Sequence, residues 1–242
     1  MMSIVPKLPV ESAEVSSDRT YLKLAAGISA LIADGEFEVG ARLPSERALA
    51  ERFDVSRTLV REAIIVLEIQ GAVEVRGGSG IYVCAPVASA SRSTTFMPLT
   101  GPGPFELLRA RSLIESEIAS VAAETRKDAD LDRIFAALAA MREHMHDKAA
   151  NEAADRLFHL RIAESTGNSV LLQMVTALWD HTKAPIWSQM ESHFHTPELR
   201  RASQDDNQRV FTALLERNAE AARSAMRAHI ERVIGEFAQA WR

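Results

Sequence analysis

One cysteine stands in 242 residues, Cys84, so no internal disulfide can form and a reducing, cytoplasmic setting is expected. No apolar run approaches the ~20 residues needed to cross a bilayer, so no membrane partner is expected. The N-terminus lacks a basic start followed by an apolar core, and no signal peptide is read there. The chain also lacks an excess of positive charge: 28 Lys and Arg stand against 33 Asp and Glu, a formal net charge of −5. That argues against a wholly basic nucleic-acid binder but leaves room for a local basic face on an acidic body. What remains, 47% hydrophobic and 25% charged residues, suits a globular protein of one large or two modest domains.

The most informative stretch runs from Arg42 to Tyr82. Ser45 follows a proline and can cap a helix on which Leu49 and Phe53 share a face. Phe53-Asp54-Val55 breaks the period, and Ser56 can cap a second helix with Leu59, Val60, Ala63 and Leu67 as its buried stripe. Arg57, Thr58 and Arg61 fall near the N-terminal end of that helix, away from the stripe, where a recognition helix reaches base edges in the major groove. Two short β-rich runs follow around Gly77, Gly78 and Gly80, glycines that permit positive φ and close approach to a phosphate. A solvated basic face is the bland reading of the arginines; the glycine-tipped hairpin favours a winged helix-turn-helix.

Around this stretch the chain divides into a tail (1–19), a DNA-binding domain (20–86), a small, polar, then proline-stiffened linker (87–103) and a helical domain (104–242). Tyr21–Asp34 has the helical period and would pack under the helix-turn-helix. After Val83 only helical periods occur: Phe105–Thr125, Leu131–Met145, Asn151–Glu164, Val170–Lys183 with a break at Pro185, then Asp205–Arg217 and Asn218–Trp241. Pro197 and the polar run to Gln204 suggest another break. The fold class is mainly α: a winged helix-turn-helix with a small β-hairpin wing, then an all-α antiparallel helical bundle.

Asp155 and His159 lie four residues apart, so they share a helix face, and His229 falls inside the apolar stripe Ala225, Met226, Ile230, Val233, Ile234, Phe237 and Trp241. A carboxylate and two imidazoles directed at a bundle centre suit a divalent metal such as Zn²⁺, Ni²⁺ or Mn²⁺. A simple Asp–His pair serves the same residues without a metal.

Leu43-Pro44-Ser45-Glu46-Arg47, Ser56-Arg57-Thr58 and Val60-Arg61-Glu62-Ala63 together resemble the GntR superfamily of bacterial transcription regulators. The resemblance implies double-stranded operator DNA as partner, with Arg47, Ser56, Arg57, Thr58 and Arg61 at the DNA and Gly78 at the wing tip. The C-terminal part resembles the FCD domain, the helical ligand-binding domain of the FadR branch. That pattern implies metal ligands at Asp155, His159 and His229, with Asn207 where a further histidine is expected. It also implies an effector-gripping arginine in Arg-x-x-x-Glu, here Arg111 and Glu115; a surface ion pair is the plainer account. Asn168 and Asn207 could serve effector hydroxyls.

Gly103–Leu108, Ala63–Ile69 and Pro185–Phe194 resemble the hexuronate-utilisation regulators of this family, which implies a hexuronate or related sugar acid as effector. Trp187 could stack on a sugar or be plain core, and His193 and His195 could border the pocket or lie at the surface. The expected protein is a homodimeric, ligand-responsive repressor and not an enzyme. Two other readings stand beside it: a metal-dependent hydrolase using Asp155, His159 and His229, with Glu115 or Glu164 as base, and a constitutive DNA-binding protein whose helical domain only dimerises.

Overall fold

The computed structural model describes residues 20–85, 101–184, 186–188 and 196–239. The tail read over 1–19, most of the linker, Pro185, His193, His195 and Trp241 lie outside the described residues. The N-terminal part holds α1 (Thr20–Ala33), α2 (Glu46–Phe53), α3 (Arg57–Ile69), β1 (Val73–Arg76) and β2 (Gly80–Val83). Ser45 Oγ accepts from Ala48 N and Ser56 Oγ from Leu59 N, so each helix of the helix-turn-helix starts on a serine cap. Between them Asp54 turns left-handed, at φ 52° and ψ 50°, and stops α2. Tyr21, Leu24 and Ile28 of α1 join Val60, Ile64 and Leu67 of α3 in the core, so α3 is held from behind.

β1 and β2 pair antiparallel from Val73↔Val83 to Arg76↔Gly80, with residues 77–79 as the loop. Gly78 has φ +69° and Gly80 φ +125°, the region the hairpin needs and L side chains avoid; Gly77 does not use it. Leu43 N donates to Ile81 O and Val83 N to Ala41 O, so the segment before α2 backs the wing.

The helical part contains α4 (Pro104–Thr125), α5 (Asp128–Glu143), α6 (Lys148–Ser165), α7 (Ser169–Asp180), a 3-10 turn at His181–Lys183, α8 (Pro197–Leu215) and α9 (Ala219–Gln239). α4 runs along α9 and also meets α6, α7 and α8, so it is the bundle's central rod. No strand follows Val83 among the described residues.

The break read from Pro197 to Gln204 is not there. Pro197 sits at the start of α8, where its missing N–H costs nothing, and Thr196 Oγ1 caps Leu199 N. The polar run is the outer face of one continuous helix whose Leu199, Gln204 and Asn207 turn inward.

Candidate functional site

α6 brings Asp155 and His159 together one turn apart, and α9 delivers His229 to them. One ligand atom from each lies within 4.8 Å of the others. Partnerless atoms bear on the fit of a metal here. His159 Nε2 is buried with no hydrogen-bond partner, 3.7 Å from Asp155 Oδ1. Its Nδ1 is engaged by Glu115 Oε2, so in the tautomer that donates to Glu115 a bare lone pair faces the cluster. A buried lone pair without a donor is unfavourable, and a cation would satisfy it. The donor set of one carboxylate and two imidazoles fits Zn²⁺, Ni²⁺ or Mn²⁺.

His229 Nδ1 stands 3.5 Å from Asp206 Oδ2, too far for a strong hydrogen bond. Burial lowers the His229 pKa more than Asp206 raises it, so the ring stays neutral, the form that ligates metals. Burial by itself would raise Asp206, but His229 and Arg232 outweigh it and hold the carboxyl at about 2.

Asn207 is fully buried and its Nδ2 donates to Asp155 Oδ1 at 2.8 Å. An amide nitrogen does not ligate a cation, so in this arrangement Asn207 holds Asp155 rather than completing the ligand set. Its Oδ1 is buried without a partner. A half-turn of the amide would be needed to present that oxygen.

Asp155, His229 and Arg111 face one cavity of about 410 Å³ walled in part by Trp179 and Trp187. That volume lies within the ~300–1,000 Å³ of small-molecule pockets. Four cations line it, Arg111, Arg156, Lys183 and Arg200, beside the carboxylates Glu152 and Asp155; Arg111 is paired with Glu115, and Arg156 and Lys183 with Asp180.

Arg111 and Glu115 are not a surface pair: they are 5% and 2% exposed, and Arg111 Nε donates to Glu115 Oε1 at 2.7 Å. The guanidinium lies 3.8 Å from the centre of the Trp179 ring, which fixes its plane. Burial alone would raise Glu115, but Arg111 and His159 prevail and hold it at about 2. So bound, Glu115 makes a poor general base, and Glu164 is spent on Arg161 at 2.5 Å.

Of the effector candidates Arg111, Asn168 and Asn207, only Arg111 lines the cavity: Asn207 lies buried behind Asp155, and Asn168 is kept away from it. Asn168 is the exposed N-cap of α7, and its Oδ1 accepts from Val170 N and Leu171 N. Trp187 is 5% exposed, packs edge-on against Phe237 and lines the cavity, so it is both core and wall.

In the winged helix-turn-helix Arg47 and Arg57 are exposed, as is Gly78 at the wing tip. Arg61 is not: it is 8% exposed, and its Nε meets Glu46 Oε1 and Oε2 at 3.0 and 2.9 Å. Arg57 reaches the same carboxylate at only 3.5 Å. Ser56 is the α3 cap, and Thr58 Oγ1 accepts from Arg109 of α4 at 2.9 Å.

Residues 20–83 match the bacterial regulatory proteins of the gntR family, and residues 106–232 match the FCD domain. The chain belongs to the GntR family. The Uxu operon transcriptional regulator of Escherichia coli (strain K12) is 39% identical over 222 residues, 90% of this chain and 86% of that protein. The Exu regulon transcriptional regulator of the same strain is 37% identical over 221 residues, 88% of this chain and 82% of that protein. The structure of E. coli McbR/YncC, 20% identical, superposes with a TM-score of 0.51 over 92% of this chain and 99% of that one, a likeness of fold.

The gntR head and the FCD domain meet through a residue that sequence reasoning passed over. Glu62 of α3 is 4% exposed, and its Oε1 accepts from Phe105 N at 3.0 Å and Glu106 N at 3.3 Å. These are orphan donors at the start of α4, whose N-cap, Gly103, has no side chain to serve them. A Cβ on Gly103 would run into the Glu62 carboxylate. Tyr21 Oη adds a bond to Gly101 O at 3.1 Å. Burial pushes Glu62 up to about 7, outweighing those N–H groups. Its only sequence signal was an acid among the inward residues of an apolar helix.

Proposed function

We propose that this chain is a transcription repressor of hexuronate catabolism that works as a homodimer and releases operator DNA when a sugar acid enters the FCD cavity. The observation that carries the reading is the convergence of Arg111, Asp155 and His229 on one cavity. The guanidinium fork would take the carboxylate. Trp187 would cover an apolar sugar face, and Thr182, Ser188 and Ser203 would serve hydroxyls. The names of the Uxu and Exu relatives, together with the sequence resemblance to hexuronate regulators, favour uronates among sugar acids.

Asp155, His159 and His229 would hold a divalent metal, which supplies a second positive centre for oxygen donors of the guest. Asp155 would be kept in place by Asn207, and the two imidazoles would bind as neutral rings. From the cavity the response would travel along α4. Arg111 lies six residues beyond Phe105 on that helix, ~9 Å at 1.5 Å per residue. A change in α4 therefore bears on Glu62 and Thr58 of the recognition helix. The coupling must come from different effector affinities of the DNA-bound and released arrangements.

The test is fluorescence anisotropy of labelled operator with glucuronate, galacturonate, fructuronate, gluconate and lactate. Six-carbon acids should release the operator, and Arg111→Ala should abolish the response with DNA binding intact. Release by lactate alone would overturn the uronate assignment.

A further inference from the structure

Glu115 is a buried carboxylate with two employers. Oε1 accepts from Arg111 Nε at 2.7 Å, and Oε2 meets His159 Nδ1. Arg111 faces the cavity, while His159 turns its partnerless Nε2 to Asp155 and His229. We propose that Glu115 is the positioning residue that couples anion capture to metal capture: one oxygen aims the Arg111 fork, the other fixes His159 as the Nδ1–H tautomer that offers Nε2 to a metal. The inference rests on the metal reading above.

A histidine ligand gains basicity and orientation from a carboxylate on its far nitrogen. Here the carboxylate is shared, so its two tasks are linked. An anion on Arg111 takes up part of the guanidinium charge, leaving more of Glu115 for the His159 N–H. His159 Nε2 then becomes the better donor, so anion and metal favour each other, and by linkage the effect is mutual. Asp206 gives His229 no equal support, since it lies 3.5 Å from Nδ1 and is also engaged by Arg232 and Arg209. The Glu115 arm is therefore the stronger of the two.

The experiment is calorimetric titration of Ni²⁺ into chelator-stripped full-length protein, in the parent and in Glu115→Gln, each with and without glucuronate. The parent should bind Ni²⁺, more tightly with glucuronate present. Glu115→Gln should bind it ~10–100-fold more weakly, with the glucuronate enhancement reduced. Equal Ni²⁺ affinity and equal enhancement in parent and variant would overturn the coupling role while leaving the metal reading in place. A parent that takes up none of Zn²⁺, Ni²⁺ or Mn²⁺ would overturn both. Should Glu115→Gln fail to fold, the parent decides alone: ¹⁵N NMR of His159 in the stripped protein should find Nδ1 protonated and Nε2 bare, and the opposite tautomer overturns the proposal.

Discussion

Arg57 and Arg61, the two arginines proposed to read the operator, differ in what they would give up to reach it. Arg57 is exposed and held only loosely by Glu46, whereas Arg61 is buried against that carboxylate through Nε. Arg57→Ala should therefore cost ~1–3 kcal/mol of specific operator affinity with little change in stability. Arg47→Ala, at an exposed side chain paired with Glu51, should weaken all sequences alike and reduce the salt slope by about 1, measured by anisotropy at several salt concentrations. Asn207→His would replace the amide that holds Asp155 with an imidazole beside the cluster, so retained Ni²⁺ after purification without a tag should rise. The spacing of Asp155 and His159 and the place of His229 in an apolar stripe are readable in one dimension, because a helix converts spacing into a shared face. Asn168 is not readable in that way. Cap and pocket residue have the same polar chemistry, and only the position of the α7 start distinguishes them.

At the scale of elements, α4 depends on an acid borrowed from another helix. Glu62 has its pKa raised from 4.5 to about 7 by burial. For an acid raised in the folded state, the contribution to stability is whole below the unfolded value and is lost as pH rises through about 7. At ~1.4 kcal/mol per unit the effect is on the order of 3 kcal/mol. Glu62→Gln keeps an accepting oxygen but cannot ionise. Urea unfolding from pH 4.5 to 8 should thus show the parent losing stability relative to the variant as pH rises; parallel curves would refute the role given to Glu62. The helices themselves were legible from their periods, and so were the caps at Ser45 and Ser56. The start of α8 was not, because proline signals both a helix stop and a first turn, and the choice depends on the buried positions of Leu199 and Asn207.

Across the whole molecule, the winged head and the helical bundle could be read from sequence, since each is a local pattern repeated over tens of residues. Their docking could not, because Glu62 and Phe105 are 43 residues apart and nothing in either neighbourhood names the other. Gly103→Ala places a Cβ against the Glu62 carboxylate and should force the two parts to separate locally. The predicted variant still binds operator in anisotropy measurements, but glucuronate no longer changes its affinity by the ~5–150-fold usual for linked sites.

The same contact sets a rule for grafting. A chimera that joins this head to the body of another regulator inherits a carboxylate with two backbone N–H groups to serve, and on the proposed route it should transmit a signal only if the new body offers a side-chain-free residue at the join. The reverse chimera, this body under a foreign head, arrives with uncapped donors and needs an acid in the place of Glu62. Exchanges that carry the acid and the glycine together should yield switchable hybrids; those that carry one alone should yield DNA binders deaf to their ligand.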